Sequence, residues 1–220
     1  MADTISGGIN EDGSLQNTIV IDEADSGKID IVDLPNADVT EVAVNAPIKD
    51  LQLGLKGDNA VVLAGLKVAG AVISNEAPAG STADFTVAVT KATNLDFVTT
   101  GKGSTNFSVP EGRVLKPVIA TAKGKAPDSI TFDPASSLKS GNISTGKGSD
   151  TLIFNGRLKG KTTVESGKGK DVIDATQSTG KGKLILSDFS KKDTLIIGDD
   201  SFRLKDIENG DAPKFIRLEA

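Results

Sequence analysis

The chain has 220 residues, with 25 Lys and Arg against 30 Asp and Glu, 37% hydrophobic residues and only 4% aromatic ones. It contains no Cys and no His, which excludes disulfides, thiolate nucleophiles, zinc–thiolate sites and every Ser-His or Cys-His mechanism. With no Trp or Tyr and with 24 Gly, any core has to be thin, aliphatic and broken by tight turns, which suits many short strands and not a helical bundle.

In chain order, residues 1–17 (MADTISGGINEDGSLQN) have neither the basic nor the apolar stretch of a secretory signal. They are expected to form an irregular arm that orders on a partner. No apolar run reaches the roughly 18 residues that a membrane span requires. Residues 18–94 hold faint β repeats. KIDIVDLPNADVTEVAV at 28–44 and LQLGLKGDNAVVLAG at 51–65 each read strand, turn, strand, with apolar residues at every second position.

From residue 95 to 206 the pattern is regular. LDFVTTGKGSTNFSV starts at Leu95, VIATAKGKAPDSITF at Val118, NISTGKGSDTLIF at Asn142 and TTVESGKGKDVIDA at Thr162, followed by GKGKLIL at Gly180 and KKDTLII at Lys191. Unit starts lie about 20 to 24 residues apart, the period of solenoids. One unit cannot bury its apolar face, whereas stacked units about 4.8 Å apart turn the aliphatics into continuous ladders. The expected fold is therefore all-β, a β-solenoid or β-roll-like stack. The alternative is an N-terminal β-sandwich followed by a C-terminal solenoid. Residues 207–220 (IENGDAPKFIRLEA) are expected to cap the last coil or to dock elsewhere, with Phe215, Ile216 and Leu218 as partner contacts.

Charge is unevenly distributed along this pattern. Residues 1–50 carry two Lys against eleven acids, a balance of −9, whereas residues 101–192 carry sixteen Lys and Arg against eight acids, a balance of +8. Such a particle suits docking of one end on an oppositely charged neighbour.

At GKGSDTL and GKGKDVI the sequence resembles the repeat-in-toxin (RTX) family, whose G-G-x-G-x-D-x-U-x nonapeptide builds a parallel β-roll around Ca²⁺. Gly146, Gly148 and Asp150, and again Gly167, Gly169 and Asp171, fall on motif positions, while the first motif Gly is Thr145 and Ser166 here. LILSDFSKKDTLIIGDDSF at 184–202 is similar to the segment that closes such repeats. The resemblance implies Ca²⁺ between like turns, held by Asp carboxylates and carbonyls. Each turn of this chain, however, carries a lysine: Lys102, Lys123, Lys147, Lys168 and Lys181. The expectation is a lysine ladder whose ammonium groups replace the metal, with no metal required; residual Ca²⁺ sites at Asp150 and Asp171 are the alternative.

No catalytic residue is expected. The nearest carboxylate groupings are Asp188 with Asp193 and Asp199-Asp200, the latter reading as a turn, and Gly-Lys-Gly-Ser lacks the P-loop spacing. The leading expectation is a non-enzymatic structural protein that decorates or cements a large assembly. A tailed-phage virion is the first choice of location, with the major assembly subunit and further copies of the chain as partners. No nucleic-acid or membrane partner is expected. The second expectation is an RTX-type exported, calcium-responsive surface or adhesive protein located outside the cell or on its surface. The third is a β-helix enzyme acting on carbohydrate.

Overall fold

The computed structural model describes residues 4–9, 15–21, 29–34, 39–56, 60–121 and 124–219, with side chains described for 19–20, 41–55, 60–121 and 124–219. The chain winds into a β-solenoid of about seven turns with stacked parallel strands. Each regular coil has three faces. In one coil the first face is Asp96–Gly101, the second is the start of Ser104–Leu115, and the third is its end, at Arg113–Leu115. A corner containing Gly-Lys-Gly joins the first face to the second, and a single residue in the left-handed conformation joins the third to the next coil.

Register is fixed by these faces. On the second face Val39 pairs with Ala60, Ala60 with Asp84, Asn106 with Ser129, Ser129 with Thr151, Thr151 with Val172 and Val172 with Thr194. On the first face Asp96 lies between Val72 and Val118, and Val118 pairs with Asn142. The parallel stacking already runs through Leu15–Ile21, Val39–Val44 and Ala60–Ala69, so the described residues of 18–94 belong to the same solenoid and form no separate sandwich.

Alternation explains the stack. In Thr151–Phe154 the side chains run half-buried, buried, half-buried, buried, which sends Leu152 and Phe154 inward. A parallel sheet wound on itself needs only one inward side chain in two, and β-branched neighbours suit the pleated outer surface. The core is one continuous cluster from Ile19 to Ile216. Five phenylalanines thicken its middle: Phe85 and Phe107 stack at 5.9 Å, Phe132 and Phe154 at 5.7 Å, and Phe97 leans against both Phe85 and Phe107 at 4.9 Å. The aromatic share is low because the core is one side chain deep.

The N-terminal segment departs from expectation, whereas the C-terminal tail caps the last coil, one of the two roles expected of it. Thr4–Ile9 pairs antiparallel with Leu15–Ile21, so the N-terminal segment contributes a strand where an irregular arm was expected. Backbone pairing satisfies donors and acceptors that an isolated arm would leave to water. At the other end Thr194–Ile197 and Asp200–Phe202 form a hairpin, with Gly198 at φ 64 and Asp199 in its turn. The helix Leu204–Asn209 follows, and Ile216–Leu218 pairs parallel with the strand Lys183–Leu186. Ile207 and Ile216 are buried, and Phe202, Leu204, Phe215 and Leu218 pack on the core. Phe215, Ile216 and Leu218 are therefore spent on closing the last coil. Of the three residues assigned as partner contacts, Ile216 is thereby corrected, since a buried side chain offers nothing to a neighbour, whereas Phe215 and Leu218 are half-buried against the core.

Candidate functional site

The Gly-Lys-Gly corner stacks on itself. Lys147 pairs with Lys168 and Gly148 with Gly169, and the amide of Lys168 donates to the carbonyl of Gly146 at 2.8 Å. Gly146 and Gly167 sit at φ 85 and 83, and a Cβ on Gly167 would overlap the carbonyl of Gly146. Glycine is demanded here twice, by conformation and by contact. Lys102 occupies the same corner earlier in the stack, since a Cβ on Gly124 would lie 2.9 Å from its Cα. Lys123 lies outside the described residues. Lys181 belongs elsewhere: Gly180 pairs with Leu158 and the amide of Gly182 donates to the carbonyl of Leu158, which puts Gly180-Lys181-Gly182 on the third face. The Gly-Lys-Gly spelling is the same, but the three-sided coil brings it to another side.

Behind the corner runs a column of buried carboxylates. Asp128 Oδ1 accepts from the amide of Thr105 at 2.7 Å, and Asp150 Oδ1 from the amide of Asp128 at 2.9 Å. Asp171 Oδ1 accepts from the amide of Asp150 at 3.0 Å, and Asp193 Oδ1 from the amide of Asp171 at 3.1 Å. Each carboxylate thus reaches back one coil to an amide that the corner leaves outside the sheet ladder. A parallel hydroxyl column accompanies it: Thr145 Oγ1 donates to the carbonyl of Ser166, and the Thr99 and Thr105 hydroxyls lie 2.8 Å apart. Asp188 ends that column by accepting from the amides of Ser166 at 2.9 Å and Gly167 at 2.7 Å. Asp188 and Asp193, one of the two carboxylate groupings singled out in the sequence, therefore serve as backbone acceptors.

Burial pushes Asp128, Asp150 and Asp171 up to about 6, against the opposing pull of their hydrogen bonds. The neighbouring carboxylates add to the rise at Asp150 and Asp171. Hydrogen-bond arithmetic agrees. The Thr121 hydroxyl has one proton, yet it lies 2.5 Å from Asp128 Oδ2 and 3.0 Å from the carbonyl of Thr145. A protonated Asp128 donating to Thr121 satisfies both. Oδ2 of Asp150 and of Asp171 are buried and unpartnered, which also favours the neutral acid.

This donor set does not suit the Ca²⁺ that the RTX resemblance implies. Among the described residues no three carboxylates come together, and one oxygen of each column carboxylate is already committed to an amide and so is withdrawn from a cation. The lysines do not take the metal's place either. Lys102, Lys147 and Lys168 are exposed, whereas Asp150 and Asp171 are inside. A backbone amide of the preceding coil occupies the position that the ladder expectation gave to ammonium.

The third face carries the outward chemistry. Lys67 pairs with Lys91, Lys91 with Arg113, Arg113 with Ser137, and Ser137 with Arg157. Two residues further along each strand, Lys139 pairs with Lys159, and Lys181 follows in the next coil. The third-face segments 66–69, 90–93, 113–115, 137–139, 157–161 and 179–183 contain no Asp or Glu. The nearest carboxylates before them in the chain are Glu111 and Asp133, at the preceding corner. The charge of Arg157, then desolvation, then the charges of Arg113 and Lys139 hold the pKa of Lys159 below the ordinary lysine range. These cations are close enough to feel one another.

Comparison of the chain with protein-family models, with curated proteins and with solved structures returns no match. Sequence reasoning missed Asp128 and Asp193 as members of the column, although Asp-Ser-Ile, Asp-Thr-Leu, Asp-Val-Ile and Asp-Thr-Leu open successive second-face strands at 128, 150, 171 and 193. It also missed the third face, whose signal was a basic residue recurring at 67, 91, 113 and 157, one or two coils apart.

Proposed function

We propose that this chain is a non-catalytic structural solenoid that decorates a large repetitive assembly, a virion shell being the foremost candidate. The observation that carries this reading is the division of labour among its charged groups. Buried carboxylates bind coil to coil through backbone amides, while one outer face presents cations alone over successive coils. A rod that repeats about every 4.8 Å matches a surface that also repeats.

Fractionation of tagged chain from its native cells on a density gradient tests the reading. Migration with high-mass particles at low salt, and release from them at about 1 M salt, is expected where charged contacts hold the chain. Migration only as free chain under both conditions would remove the assembly from the account.

A further inference from the structure

We infer that the third face is the attachment surface and that its partner is an acidic protein face, with carboxylates arranged in rows. This rests on the assembly reading above and adds to it the chemistry of the contact. Lys67, Lys91 and Arg113 succeed one another in one column, which passes through Ser137 before it reaches Arg157, and Lys139 and Lys159 begin a second. Strands in a sheet lie about 4.8 Å apart, so neighbouring cations repel by about 0.9 kcal/mol in water. Such a face is destabilised when bare and relieved when opposed by carboxylates.

Three observations select protein as the source of those carboxylates. A cation spacing set by strand separation equals the spacing of side chains across another sheet or solenoid, so rows can face rows. Duplex nucleic acid presents one phosphate per about 1.7 Å of axis, a far denser charge than this face can neutralise. The face also has no stacking platform for bases or sugar rings: the chain has no Trp or Tyr and eight Phe, of which six are buried and Phe202 and Phe215 pack on the core. Main-chain edges take no part, because the face is the middle of a paired sheet.

Poly-L-glutamate serves as the probe, with duplex DNA and a polyuronate at matched charge, read by fluorescence anisotropy at about 50 mM and about 300 mM salt. Lys91→Glu/Arg113→Glu/Arg157→Glu is compared with Lys102→Glu/Lys147→Glu/Lys168→Glu, which makes the same charge change at the Gly-Lys-Gly corner. Circular dichroism checks that each variant is folded, and Lys159→Gln supplies a milder third-face variant. The third-face triple variant is expected to lose at least about tenfold in poly-glutamate affinity, about 1.4 kcal/mol, and the corner variant less than threefold. Equal losses in the two triple variants, or tighter binding of wild type to DNA or polyuronate than to poly-glutamate, overturn the inference. The gradient experiment separates the two proposals. A third-face variant that still travels with particles sinks the surface assignment alone, whereas wild type that binds poly-glutamate but never joins a particle sinks the assembly reading alone.

Discussion

Two corners of the same coil turn the chain by opposite means. At the first, glycine-rich turns such as residues 145–150 and 166–171 pass over a buried aspartate that ties them to the previous coil. At the third, one residue in the left-handed conformation does the work: Asp50, Gly70, Asn94, Lys116, Ser140 and Gly160 succeed one another there, with φ between 50 and 69. Their amides continue the stack, as when Lys116 donates to the carbonyl of Lys139 at 2.9 Å. The first corner constrains residue type through contact and burial. The third constrains only a dihedral angle, and a non-glycine residue can adopt that angle at a modest energetic cost.

The comparison breaks most visibly at Gly167. Gly167→Ala places a Cβ against the carbonyl of Gly146 at a positive φ, and the 2.8 Å bond from Lys168 to that carbonyl leaves no room to retreat. A loss of more than about 3 kcal/mol in urea unfolding is expected, at the upper end for single substitutions. An unchanged midpoint would mean that successive corners do not touch.

A smaller effect sharpens the role of the carboxylates. Asp150→Ala orphans the buried amide of Asp128 and should cost about 1–3 kcal/mol, whereas Asp150→Asn keeps an acceptor and should cost less than about 1 kcal/mol at neutral pH. The pH dependence has an unusual sign. An acid raised from 3.8 to about 6 binds its proton more tightly in the folded protein, so its contribution is greatest below about 4 and is lost as pH rises through 6. Thermal melts of wild type and of the Asp150→Asn/Asp171→Asn variant between about pH 4 and 7.5 should diverge in this direction, the variant showing the flatter profile. Parallel profiles would assign these groups an ordinary pKa.

The smallest effect belongs to the third corner. Lys116→Gly relieves an exposed left-handed lysine and should stabilise by up to about 1 kcal/mol, less whatever entropy glycine adds to the unfolded chain. Destabilisation would show that the lysine stem contributes packing.

The same contrast explains how much of the fold was legible. Period-two alternation and the recurring Gly-Lys-Gly announced a solenoid, and the alternation within 41–55 and 60–65 was readable because Val42, Val44, Leu51, Leu53, Leu55, Val61 and Leu63 face one interior. The third face was not read, because segments such as Lys-Val-Ala and Arg-Leu-Lys offer one inward side chain each, too few for alternation to register. Lys181 shows the limit of spelling: Gly-Lys-Gly at 180–182 copies the corner motif, yet the real counterpart in that coil is Asp188-Phe189-Ser190, where a carboxylate, not glycine, meets the corner above. Asp128 was hidden by a longer corner that ends in Ala-Pro, although the buried column runs straight through it.

The lid formed by Ile207 and Ile216 has a consequence for synthesis. Strand Ile216–Leu218 roofs Lys183–Leu186, so a nascent chain keeps the edge of its newest coil bare until residue 218 has left the ribosome. Until then each growing copy displays a parallel-sheet template to its polysome neighbours, and arrested translation products ending near residue 200 should be the species most prone to aggregate.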